Sequence, residues 1–255
     1  MEWFLTPAPR MAAAGRLFCL PYAGGGAAIY RDWGRELSEA LELRAVQLPG
    51  RGWRLNEPPS TDLTALASDI AGAIEPLADR PFALFGHSMG AWLALLVARH
   101  LEQRGLGPMA LLVSGRQAPS LGCTQPPLSH LDDEAFVAEV QIRYGGIPPE
   151  ILADRDILML LLPSLRADIR ALEHYLHESG PRVHCPIVAL GGEDDPLVPV
   201  DHLAPWATET VGPFQVETFP GDHFYFRDDP LPLLRSIERH LARSAEIGLE
   251  RIGGR

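Results

Sequence analysis

Five consecutive residues, Gly86-His87-Ser88-Met89-Gly90, spell the G-x-S-x-G pattern, in which a serine stands on a sharp turn between a strand and a helix. The flanks suit that turn. Phe82-Ala83-Leu84-Phe85 reads as a buried strand, and Ala91-Trp92-Leu93-Ala94-Leu95-Leu96-Val97-Ala98 reads as a helix. Small residues are required where the strand and helix backbones nearly touch, and Gly86 and Gly90 meet that need. The chemistry on offer is nucleophilic attack on an acyl group, with the backbone N–H after the serine facing the developing oxyanion. A serine hydroxyl is a weak nucleophile at neutral pH. It needs a base within hydrogen-bond reach, and the base needs a carboxylate to orient it.

In a sheet whose ligands gather beyond the carboxyl ends of the strands, each partner should follow a strand. The expected chain order is serine, acid, histidine. A strand at 187–190 leads into Gly191-Gly192-Glu193-Asp194-Asp195-Pro196. Of the three adjacent carboxylates Asp195 is chosen, because it completes G-x-x-D counted from Gly192. Asp194 is the fallback, and Glu193 reads as a solvated surface acid. A strand at 214–219 leads into Gly221-Asp222-His223-Phe224. Of nine histidines, only His223 has both the chain order and the post-strand loop. His87, inside the elbow, reads as packing beside the nucleophile. The glycine-rich loop Pro21-Tyr22-Ala23-Gly24-Gly25-Gly26 lacks the Lys-Ser/Thr ending of a phosphate-binding loop and does not meet the dinucleotide fingerprint. Beside a nucleophilic serine it would supply a second oxyanion donor, so the candidate donors are the backbone N–H groups of Ala23 and Met89.

The elements that must position these residues alternate between short β-type runs and helical patterns, which predicts a largely parallel sheet covered by helices. Strands are expected at 16–20, 43–48, 82–85, 109–113, 187–190 and 214–219. Helices are expected at 29–41, at 63–77, from the elbow to about Gln103 with Gly105 as its cap, and after Asp229-Pro230. Between about 116 and 180 no strand is expected, and helices open at Leu131 and span 150–162 and 165–175. We read this stretch as a helical lid inserted at the carboxyl edge of the sheet, within one domain spanning 1–255. The run Ile157-Leu158-Met159-Leu160-Leu161-Leu162 is apolar all round and should face something on both sides, either as core packing or as the lining of an apolar channel.

At net charge −11, the chain would repel nucleic acid. No apolar run is long enough to span a membrane, and Met1-Glu2-Trp3-Phe4-Leu5 does not read as a signal peptide. Cys19, Cys123 and Cys185 are odd in number and unrelated in spacing. They argue against a disulfide framework or a structural metal site and for a reducing, cytoplasmic setting.

With these residues in hand, the chain resembles the type II thioesterases, the stand-alone editing hydrolases of polyketide and nonribosomal peptide synthesis. The resemblance covers nearly the whole length. It is carried by Pro21-Tyr22-Ala23-Gly24-Gly25, Pro49-Gly50-Arg51, Gly86-His87-Ser88-Met89-Gly90 and Ser114-Gly115-Arg116. The lid adds Gly145-Gly146-Ile147-Pro148 and Leu165-Arg166-Ala167-Asp168, and Gly192-x-x-Asp195-Pro196 with Gly221-Asp222-His223-Phe224 completes the set. It implies an α/β-hydrolase fold, no metal or cofactor, and an acyl thioester presented on the phosphopantetheine arm of an acyl or peptidyl carrier protein. It also implies the roles: Ser88 attacks, His223 takes the proton, Asp195 holds the imidazole, and the Ala23 and Met89 amides bind the oxyanion. A thiol of pKa about 8.5 leaves readily. The enzyme is expected to be a monomer. One departure is Arg51-Gly52-Trp53-Arg54, where Trp53 reads as an aromatic anchor for its loop. Three other readings stay open on sequence: an acyltransferase or cyclase using the same acyl-enzyme, a general carboxylesterase, and a catalytically silent fold that only binds.

Overall fold

The computed structural model describes residues 2–122, 125–177 and 180–253, with side chains as far as residue 244. Seven strands form one sheet: β1 (Phe4–Leu5), β2 (Gly15–Leu20), β3 (Leu41–Val46), β4 (Phe82–His87), β5 (Ala110–Ser114), β6 (Ile187–Gly192) and β7 (Phe214–Phe219). Their spatial order is β1-β3-β2-β4-β5-β6-β7. Only β1 runs antiparallel to its neighbour. The helices are α1 (Trp33–Glu36), α2 (Leu63–Ile74), α3 (Met89–Gln103), α4 (Asp133–Tyr144), α5 (Pro149–Ala153), α6 (Arg155–His174) and α7 (Leu231–Gly253).

The central strands are buried on both faces, as parallel sheets require. Phe18, Leu20, Leu84, Leu111 and Ile187 point to the face covered by α2 and α3. The intervening residues Leu17, Cys19, Phe85, Leu112 and Val188 point to the face covered by α7 and the segment around Tyr30 and Trp33. Strand period two thus splits continuous apolar runs into two cores. A third apolar cluster, around Phe136, Val140, Leu162, Leu165 and Ile169, belongs to the helical segment between β5 and β6.

Several expectations change. The helix expected at 29–41 is a 3₁₀ turn at Ala27–Tyr30 followed by the single turn of α1. Its continuation is captured by side chains: Arg10 donates to the carbonyls of Leu37 (2.8 Å) and Ser38 (2.6 Å), and Glu238 accepts from the Ser38 amide (2.6 Å). The helices expected at 150–162 and 165–175 divide elsewhere. Asp154 caps α6 by accepting from the amides of Asp156 and Ile157, and α6 then runs through Pro163 to His174. Its apolar run does not face protein on both sides, because Ile157, Met159 and Leu160 are about half exposed. The strand β1 was not foreseen; two residues carry too little periodicity to see. The α3 terminus follows expectation, since the amides of Gly105 and Leu106 donate to Glu102 and Leu101 in a Schellman cap. Cys19 and Cys185 are buried free thiols, while Cys123 lies outside the described residues.

Candidate active site

Ser88 links β4 to α3. Its backbone, at φ 54° and ψ −115°, is the only non-glycine positive-φ conformation among the described residues. Such a conformation costs about 1–3 kcal/mol and persists only where its surroundings impose it. Here the Ser88 amide donates to the Ser114 carbonyl of β5 (2.8 Å), and its carbonyl accepts from Ala91 (3.0 Å). A Cβ on Gly86 would collide with the Gly90 carbonyl, and one on Gly90 with the Leu20 carbonyl. The elbow is therefore wedged between α3 and the end of β2, and only glycine fits at either side.

Asp195 and His223 meet across the loops that follow β6 and β7. The two loops are tied by the Glu193 amide on the Phe219 carbonyl (2.8 Å) and the Asp194 amide on the Gly221 carbonyl (2.9 Å). Asp195 is buried, whereas Glu193 and Asp194 are exposed. Its Oδ1 accepts from the amides of Leu197 (2.8 Å) and Val198 (3.2 Å). Its Oδ2 lies 2.8 Å from His223 Nδ1. A carboxylate at that distance keeps the imidazole proton on Nδ1 and leaves Nε2 as the acceptor. His223 Nε2 is buried and has no protein partner among the described residues.

The Pro21–Gly26 loop follows β2, the strand beside β4. Ala23 lines the same cavity as Ser88 and His223. Neither the Ala23 amide nor the Met89 amide, the first of α3, has a protein acceptor among the described residues. The cavity has a volume of about 360 Å³. Its floor is the loop, Ser88, His223 and Phe224; its roof is apolar and comes from α4 and α6, including Val140, Leu158, Leu161, Leu162, Leu165 and Ile169. One flank of the Ile157–Leu162 run therefore does line a channel.

Two clusters escaped sequence reasoning. His87 is fully buried, 4.9 Å from the His223 ring. Its Nδ1 is 2.9 Å from Ser114 Oγ, which in turn is 2.7 Å from the Tyr225 hydroxyl. Burial, reinforced by His223 and Arg227, pushes the His87 pKa well below its ordinary value. Beside the loop, Arg51 and Asp168 form a buried, bidentate ion pair (2.5 and 2.8 Å). Both residues stand in motifs read from the sequence, but no local spelling reveals that they pair. Trp53 does anchor its loop, donating through Nε1 to the Glu2 carbonyl (2.9 Å).

The chain matches the thioesterase domain family over residues 15–241. It is 42% identical over 238 residues to the thioesterase PikA5 of Streptomyces venezuelae, covering 92% of this chain and 83% of that one. With the gramicidin S biosynthesis protein GrsT of Aneurinibacillus migulanus it shares 36% identity, over 94% of each chain. Among solved structures, the type II thioesterase BorB from the borrelidin biosynthetic cluster superposes with a TM-score of 0.87 at 39% identity, covering 94% of this chain and 97% of that one. The sheet order and its covering helices are those of the α/β-hydrolase fold, and the chain belongs to the thioesterase family, among relatives of the type II kind.

Proposed function

We propose that this enzyme hydrolyses acyl thioesters presented on the phosphopantetheine arm of an acyl or peptidyl carrier protein, in polyketide or nonribosomal peptide synthesis. One observation carries the mechanism: a strained serine, Ser88, faces the same cavity as a buried imidazole whose Nδ1 is held by Asp195 and whose Nε2 has no hydrogen-bond partner among the described residues. The acyl chain lies in the apolar space beneath α4 and α6, which belong to a helical lid inserted at about 116–180 within one domain. Ser88 Oγ attacks the thioester carbonyl as His223 Nε2 takes its proton. The Ala23 and Met89 amides receive the charge on the carbonyl oxygen. His223 then returns the proton to the departing thiolate, leaving acyl-Ser88. Water, deprotonated by His223, attacks the ester and the acid leaves. No cofactor enters any step.

Mass spectrometry of the enzyme incubated with acylated carrier proteins tests this reading. The expected result is a transient acyl adduct on Ser88 and release of free acid, with Ser88→Ala folded but at least about 1000-fold slower. Normal turnover by Ser88→Ala removes the elbow from the mechanism. Capture of the acyl group by an alcohol or amine, with no free acid, makes the enzyme a transferase.

A further inference from the structure

The lid helix α6 does two things at once. Through Leu161, Leu162 and Leu165 it forms the wall of the acyl cavity. Through Leu165 and Asp168, one turn apart, it also rests on Gly24 of the Pro21–Gly26 loop. Asp168 Oδ2 accepts from the Gly24 amide (2.8 Å). Gly24 has φ +78°, and a Cβ there would stand 2.8 Å from Leu165 Cδ1, so the helix sits directly on that residue. Gly24 follows Ala23, so whatever fixes its amide fixes the peptide plane next to the Ala23 N–H.

Asp168 does not hold the loop alone. Arg51 grips both carboxylate oxygens of Asp168 and also donates to the Gly25 carbonyl (3.1 Å). Gln47 accepts from the Ala27 amide (3.1 Å) and donates to the Arg51 carbonyl (2.9 Å). The loop is thus held at Gly24 and Gly25, and at Ala27 just beyond its end. Asp168 and Arg51 are almost wholly buried. A buried ion pair of this kind is weak evidence of added stability, since desolvation offsets much of the attraction. What the pair does provide is direction, because a bidentate fork fixes the carboxylate plane and so the line of the Gly24 N–H.

We propose that Asp168 is a positioning residue that sets the Ala23 oxyanion donor from the lid, so that the helix lining the acyl cavity also adjusts the machinery that stabilises the transition state. This rests on the reading of Ala23 as a donor. An acyl chain that seats α6 properly holds the loop in its working position; one that displaces α6 shifts the loop with it. Chain fit then appears in kcat as well as in KM.

The test uses the full-length enzyme with octanoyl-pantetheine and follows kcat, KM and thermal unfolding. Two changes are compared. Asp168→Asn keeps the shape and removes the charge; the pair Arg51→Met with Asp168→Leu fills the space without leaving a lone buried charge. In each folded variant, kcat is expected to fall about 10- to 100-fold with KM changed by less than about three-fold. A folded variant with kcat within about two-fold of the parent overturns the inference. Replacing Ala23 by lactic acid, which exchanges its N–H for an ester oxygen, tests the donor separately. Unchanged kcat there refutes the Ala23 reading itself. If kcat falls, adding Asp168→Asn should cost less than the two losses combined, since both act on one donor; full additivity overturns the coupling.

Discussion

In the proposed mechanism, Ser88 and His223 depend on neighbours that react with nothing. The Asp195 carboxylate accepts two backbone N–H groups with one oxygen and faces His223 with the other. Asparagine would place an amide where the imidazole N–H must donate, favouring the wrong tautomer. Asp195→Asn is therefore expected to leave the fold intact and to lower kcat by about 10⁴-fold, measured by single-turnover acylation. His87 makes a different prediction. Its buried imidazole stays neutral in the folded enzyme below the ordinary value of 6.5, whereas in the unfolded chain it takes up a proton near that value. The unfolded state then binds more protons, so stability rises with pH through this window and is fully present above it. Resistance to thermal unfolding should therefore fall from about pH 7.5 to about pH 5.5, by up to about 1.4 kcal/mol per pH unit below the unfolded pKa. His87→Gln should flatten that slope, and an unchanged slope would place the titration elsewhere.

At the scale of elements, the strands that end at functional loops were legible because each pairs an apolar run with a glycine-bearing turn. Helices were legible only where nothing outside them competed. Residues 29–41 have a helical pattern, yet Arg10 and Glu238, distant in sequence, take the backbone groups a continuing helix would pair. The helices expected at 150–162 and 165–175 are not divided there: α6 runs through Pro163 and begins at the Asp154 cap. The result is a single long helix with one flank on the cavity beside Ser88 and His223. Leu161 belongs to that wall. Leu161→Phe should shorten the available space and move the optimum of kcat/KM to shorter acyl-pantetheines. On the rising side of the series each methylene should add up to about 0.8 kcal/mol, roughly a fourfold gain. A profile unmoved by Leu161→Phe would place the acyl chain elsewhere.

Across the whole molecule, the elbow at Ser88 and the Asp195–His223 contact, which the proposed triad joins, were legible because each residue carries a local spelling, although Asp195 lies 107 residues beyond Ser88 and His223 28 beyond Asp195. The Arg51–Asp168 pair spans 117 residues and was not, because a contact between two motifs is written in neither. The same distinction separates substrate from partner. On the proposed reading the cavity takes the acyl chain and the reacting carbonyl, and an acyl-pantetheine offers both. A carrier protein adds only its surface, outside the cavity, against an enzyme of net charge −11. If the carrier is the natural donor, surface contact must outweigh the loss of freedom on docking two proteins. A net gain of about 1.4 kcal/mol corresponds to tenfold in kcat/KM. The carrier-bound acyl group should therefore react with a kcat/KM at least about tenfold above that of the same acyl chain on free pantetheine. The excess should lie mainly in KM, because both substrates present the same carbonyl to Ser88. Equal specificity constants would mean that the enzyme reads the acyl arm alone.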